Sequence, residues 1–119
     1  MITQIELPWP PSANQMYRHV GYKVLISERG RKYRAQVAEA HARAGSPRLE
    51  GLLSLKMLAF PPDNRRRDID NLCKGLVDAL MLCGLFQDDS QIVRLVVEKK
   101  GVTEGGKVIV EVEEVDSCS

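Results

Sequence analysis

Five short stretches of this chain read as strands and two longer ones as helices. Ile2 to Leu7 predicts a short strand, ended by Pro8, Pro10 and Pro11, which cannot donate to a sheet ladder. The loop PWPPSANQMYRH that follows should lie at the surface. Gly21 suits a tight turn before a second strand, Tyr22 to Ile26. Ser27 ahead of a charged run has the character of a helix N-cap. Tyr33, Val37, Ala40 and Ala44 then mark an apolar stripe over a helix of residues 28–44, stopped by Gly45 and Pro47. Leu52 to Phe60 predicts a third strand, halted by Pro61-Pro62. Ile69, Leu72, Cys73, Leu76, Leu80 and Cys83 recur at helical spacing, giving an amphipathic helix that ends at Gly84. Gly75 within it costs about 1 kcal/mol relative to Ala, which implies close packing against a neighbour. Gln91 to Lys99 and Lys107 to Val115 are the last two strands, with VTEGG as a hairpin-like connection.

The order β-β-α-β-α-β-β predicts an α/β (α+β) fold, a single mixed β-sheet with two helices packed on it. At 119 residues the chain forms one domain, 1–119. Its hydrophobic fraction of 44% is that of an ordinary globular protein. No apolar run approaches the ~20 residues that span a bilayer, so no membrane partner is expected. The start lacks the basic-then-apolar pattern of a signal sequence, and the chain is expected to be cytoplasmic.

Three cysteines, Cys73, Cys83 and Cys118, have no CxxC spacing. Cys73 and Cys83 on one helix would stand roughly 15 Å apart, too far for a disulfide. The net charge of +1 hides an asymmetry. Before residue 76 there are thirteen basic against seven acidic side chains; after it, four against nine. A basic half suits a polyanionic partner, and a solvated surface accounts for the split equally well.

The stretch RRRDIDNLCKGLVDAL, from Arg65 to Leu80, concentrates the chemistry. Asp68 and Asp70 fall at a helix start, where Asp68 can be the N-cap and Asp70 lie in the first turn. Capping alone explains both. Asp88 and Asp89 form a second acidic pair, in what could be an ordinary turn. If the strand after Asp89 runs beside the start of the Asp68 helix, three carboxylates meet. Such an all-oxygen cluster selects Mg²⁺, or Mn²⁺, over zinc. Asp88 is a second-rank ligand. A calcium EF-hand is excluded, since the loop-end Glu would fall on Ala79 and the turn glycine on Cys73. Lys74, four residues after Asp70, reads either as an i, i+4 ion pair or as a cation beside the metal. Asp78 reads as solvated. Arg65, Arg66 and Arg67 form a solvated loop or a phosphate-binding one. Tyr17, Arg18, His19 and Lys23 could extend that surface. His41 has no evident partner.

These residues, in this order, resemble the RusA family of Holliday junction resolvases. The resemblance covers nearly the whole chain: LPWPPSANQMYRH, SERGRKYR, RRRDIDNLCKGLVDAL and GLFQDDSQI. It implies a homodimeric, Mg²⁺-dependent endonuclease that nicks two symmetric strands of a four-way DNA junction in recombination and repair. It assigns Asp68, Asp70 and Asp89 as the catalytic acids and Lys74 as the essential lysine, and suggests a prophage source. A non-catalytic DNA-binding module, with the aspartates as helix caps, is the alternative. A protein-interaction domain using the acidic strand (Glu111, Glu113, Glu114, Asp116) is a third.

Overall fold

The computed structural model describes residues 2–116. In chain order the elements are β1 (Thr3–Pro8), α1 (Ala13–Met16), β2 (Tyr17–Val20), β3 (Lys23–Ile26), α2 (Glu28–Arg43), β4 (Leu52–Phe60), α3 (Asp70–Cys83), β5 (Ile92–Lys99) and β6 (Lys107–Val115). A 3₁₀ turn, Asp89–Gln91, leads into β5. Cys118 lies outside the described residues.

The mixed α/β class expected from the pattern is the one observed. Four strands make one sheet in the order β1-β6-β4-β5. The β1–β6 and β6–β4 pairs are antiparallel, and β4–β5 is parallel. Alternation decides which face is covered. Leu53, Leu55, Met57 and Ala59 of β4 and Val108, Val110 and Val112 of β6 are all buried at every second position. Leu72, Leu76, Ala79 and Leu80 of α3 and Tyr33, Val37 and Ala40 of α2 close over them. Each large side chain so buried contributes about 1.5–3 kcal/mol. The opposite face is polar, with Lys56 bonded to Glu98 at 3.1 Å and Glu111 and Glu113 nearby.

Helix ends follow their local chemistry. The Ser27 side chain accepts from the Gly30 N–H at 3.0 Å, the expected cap of α2. Gly84 ends α3 in the left-handed region, φ 97°. His41 is buried in place of the exposed Ala44, its Nε2 2.7 Å from the Pro47 carbonyl oxygen, so it has a partner after all.

Three expectations differ in detail. The strand over residues 22–26 does not join the main sheet. It forms β3, paired only with β2 in a separate hairpin whose tip, Tyr22, is fully exposed. The proline-rich loop is not all surface. Ser12 and Gln15 make a capping box around the single turn of α1, which drives Met16 into the core. VTEGG is not a hairpin connection, because β4 lies between β5 and β6 and the chain passes the C-terminal end of β4 to reach β6.

Met16 also explains two glycines. A Cβ on Gly30 would stand 2.4 Å from the Met16 carbonyl oxygen, and one on Gly75 2.6 Å from the Met16 methyl. The close packing expected at Gly75 is thus packing onto α1. Gly30→Ala should lower stability by about 1–3 kcal/mol despite the gain in helix propensity, because the clash is with backbone. Urea unfolding measures it; a midpoint at or above wild type would contradict this packing.

Candidate active site

β4 delivers the chain to the acidic stretch and α3 carries it back. Pro61 and Pro62 end β4, and the charged loop to Ile69 turns the chain onto the helix. Ile69, not Asp68, occupies the N-cap position, with helical φ −66° and ψ −27° and no side-chain cap bond. The first turn closes through backbone alone: the Asn71 N–H donates to the Asp68 carbonyl and the Leu72 N–H to that of Ile69, both at 3.2 Å. The Asp68 carboxylate is therefore not spent on a cap. Asp68 and Asp70 are exposed, and neither carboxylate forms a hydrogen bond or ion pair among the described residues. Asp68 lines a cleft of about 530 Å³ with Trp9, Ser12, Arg66, Arg67, Asn71 and Leu72.

Lys74 stands one turn further along α3. It makes no ion pair with Asp70; its ammonium sits 5.3 Å from the centre of the Tyr17 ring. The Tyr17 hydroxyl donates to Asp78 Oδ2 at 2.5 Å. Asp78 is therefore not simply solvated. Burial, then the Asp78 bond, pushes the Tyr17 phenol up, against the opposing pull of Arg34. The Arg34 Nε is buried without a partner among the described residues. This arrangement ties Lys74 to β2 through one aromatic ring, and the i, i+4 spacing gave no sign of it. The only sequence signal was that Asp78 continues the Asp70–Lys74 stripe.

The arginine loop divides its labour. Arg67 donates to Asp63 Oδ1 at 2.8 Å and lies 5.6 Å above the Trp9 ring. That bond chiefly, with the Arg65 N–H, holds the Asp63 carboxyl below the usual carboxylate range. Arg67 thus braces the loop. Arg65, 3.7 Å from Asp63, has an 83% exposed side chain, and Arg66 is exposed with no ion pair among the described residues. Arg18, His19 and Lys23 stand exposed on the β2–β3 hairpin.

The second acidic pair separates into two roles. Asp88 caps the 3₁₀ turn: its side chain accepts from the Ser90 N–H at 3.0 Å, and its own N–H donates to Gln91 Oε1 at 2.9 Å. The Ser90 backbone N–H, then the Ser90 side chain, holds the Asp88 carboxyl below its ordinary range. Asp89 is exposed in the turn itself. Gln91 anchors that turn by donating to the Gly51 carbonyl at 2.9 Å, at the start of β4. Asp70 begins α3 beyond the other end of β4, so a helix of about 20 Å separates it from Asp89 within one chain. The expected meeting of Asp68, Asp70 and Asp89 does not occur inside one subunit. No group of three His, Cys, Asp or Glu close enough to hold a metal exists among the described residues.

Comparison with known proteins bears on what this geometry is for. The family profile described as endodeoxyribonuclease RusA matches residues 8–113. The chain belongs to the RusA family. A crossover junction endodeoxyribonuclease RusA of Enterobacteria phage 82 is 43% identical over 107 residues, covering 87% of this chain and 88% of that one. The protein of the same name from Escherichia coli K12 is 41% identical over 105 residues, with the same coverage. That of Enterobacteria phage HK97 is 36% identical over 115 residues, covering 96% of both. Membership makes the chain a nuclease-family protein and gives the exposed carboxylates of α3 a context beyond helix capping. No helix of the described residues is long and apolar enough to cross a membrane.

Two substitutions test whether the second acidic pair divides into a structural cap and an acid used in the reaction. Asp88→Ala should lower Tm and keep nuclease activity, whereas Asp89→Asn should keep Tm and lose activity. Melting curves and a DNA-nicking assay on both variants measure this; equal activity losses would contradict the division. For the lysine anchor, Tyr17→Phe keeps the ring under Lys74 and Tyr17→Leu removes it. Nicking should fall several-fold further in the leucine variant when the two are compared at equal folded fraction, and equal rates would remove Tyr17 from the site.

Proposed function

We propose that this chain is a Mg²⁺-dependent, structure-selective endonuclease that resolves four-way (Holliday) DNA junctions as a homodimer, by paired symmetric nicks, in recombination and repair. The observation that carries the reading is the pair of unpartnered carboxylates, Asp68 and Asp70, at the start of α3 in a chain of the RusA family. The names of its relatives supply the substrate class, and two of those relatives come from phages, which supports a prophage source.

The donor set suits a hard cation. Carboxylates with no competing partner among the described residues, beside a cleft that also presents Arg66, are what Mg²⁺ requires when it keeps waters and accepts phosphate oxygens. Mn²⁺ would fit the same oxygens. The bound ion would supply an activated water and stabilisation of the leaving oxygen. Asp68 and Asp70 would hold it, Lys74 would oppose charge developing on the phosphate, and Arg65 and Arg66 would fix the neighbouring backbone. Arg18, His19 and Lys23 would extend that surface.

Asp89 enters only if a second copy provides it. β5 is an edge strand, and Leu95 on its helix side is 45% exposed. One end of β5 follows Asp89; at the other, Lys99 Nζ donates to the Arg67 carbonyl at 3.1 Å, beside Asp68. A two-fold axis across this edge sets two copies antiparallel. Asp89 of the partner subunit then approaches Asp68 and Asp70, and the operation repeats at the other end. Two equivalent sites match a substrate that is itself two-fold symmetric.

Asp70→Asn should bind a synthetic four-way junction and cut it more than about a hundredfold more slowly, the loss expected for a charged metal ligand. Mixing tests the shared site. Asp70→Asn and Asp89→Asn chains are each inactive alone, but a mixed dimer has both defects in one site and leaves the other intact. A 1:1 mixture allowed to exchange subunits should recover about a quarter of wild-type nicking, since half the dimers carry one good site of two. No recovery, with exchange verified, would place all three acids in one subunit or dismiss one of them.

A further inference from the structure

A large groove lies beside the site and is not accounted for by it. About 580 Å³ in volume, it runs between α2 and the loop that follows β4. Arg29, Lys32 and Gln36 line it from α2, and Arg65 and Arg66 from the loop, with Trp9 also in the lining. No acidic side chain lines it. The groove adjoins the Asp68 cleft, with which it shares Trp9, Ser12, Arg66 and Arg67.

Its walls are built rather than incidental. Tyr33 is buried on α2 and donates to the Pro8 carbonyl at 2.8 Å, tying the helix to the segment that carries Trp9. Trp9 and Pro62 both crowd Gly106, where a Cβ would stand 2.9 Å from Trp9 Cβ and 3.0 Å from Pro62 Cδ. Arg67, neutralised by Asp63, covers the Trp9 ring from the loop side. The cations left without a close acid are Arg29, Lys32 and Arg66, and among the described residues none of the three has an ion pair.

We infer that this groove binds the sugar–phosphate backbone of the DNA strand leading to the scissile phosphate, with Arg29 and Lys32 as phosphate contacts and a nucleotide passing over Trp9. Arg29 and Lys32, three residues apart, share one face of α2, so both long side chains can reach phosphates of one strand from the same wall. A cationic channel with an aromatic ring in its lining is the chemistry that holds a nucleic-acid backbone and stacks a base that has left its partner. A channel open to the Asp68 cleft also gives the strand a direct route to the carboxylates.

The inference rests on the junction-binding reading, and the experiment separates the two. Wild-type binding to a four-way junction is measured across a salt series in Ca²⁺, and establishes or refutes that reading by itself. Arg29→Gln/Lys32→Gln should then weaken binding at least tenfold at moderate salt and flatten the slope of log K against log salt by about two. Arg43→Gln/Arg48→Gln, with the same net charge but exposed positions outside the groove, should keep the wild-type slope. Trp9 is the one tryptophan of the chain, so its emission should be quenched as junction saturates the protein. An unchanged slope in the groove variant, an equal fall in the control, or Trp9 emission indifferent to saturating junction would each overturn the assignment.

Discussion

The parallel pairing of β4 with β5 constrains everything else in this molecule. Two parallel neighbours cannot be joined by a tight turn, so the chain must cross back along the sheet, and α3 is that crossing. The residues leading into the helix are thereby fixed at one end of the strands, and those leaving it at the other. Asp68 and Asp70 fall in the first group, Asp88 and Asp89 in the second. No side-chain adjustment spans a helix length, so the distance between the acidic groups is a property of the topology. In the homodimer proposed above a second subunit would close it, and the edge strand β5 runs between the two groups.

Much of this was legible in the sequence. Short apolar stretches with proline stops and a glycine-containing connection located the four sheet strands, and 3.6-residue spacing located α2 and α3, because burial on one helix face imposes that period. Ser27 and Gly84 marked helix ends for the reasons their chemistry dictates. The misses share a cause. Nothing local distinguishes a strand that joins the main sheet from β3, which meets only β2. Met16 looks like a loop residue until α1 lifts it between Gly30 and Gly75. The cap of α3 fell on Ile69, since backbone bonds closed the first turn unaided. Candidate acids were legible as residue types, but which of them share one end of the sheet depends on strand order, and spacing does not encode strand order.

Charge is sorted in space as well as along the chain. The arginine loop borders the Asp68 cleft, the Arg29–Lys32 face of α2 lines the groove that adjoins it, and the β2–β3 hairpin carries exposed Arg18, His19 and Lys23. Glu111 and Glu113 of β6 point to the sheet face that the helices leave uncovered. The near-zero net charge therefore coexists with a basic surface, which is what a polyanion meets. Within that surface the arginines are not equivalent. Arg67 is held by Asp63 and the Trp9 ring and braces the loop, while Arg66 has no ion pair among the described residues.

The claim that the catalytic centre is divided between two subunits is tested most directly by diffraction from crystals of the dimer grown with Mn²⁺, whose anomalous signal locates the metal. The expected result is a peak ligated by Asp68 or Asp70 of one subunit with Asp89 of the other within the coordination shell or one water away. A peak held by one chain alone, with both copies of Asp89 remote from it, would contradict the account.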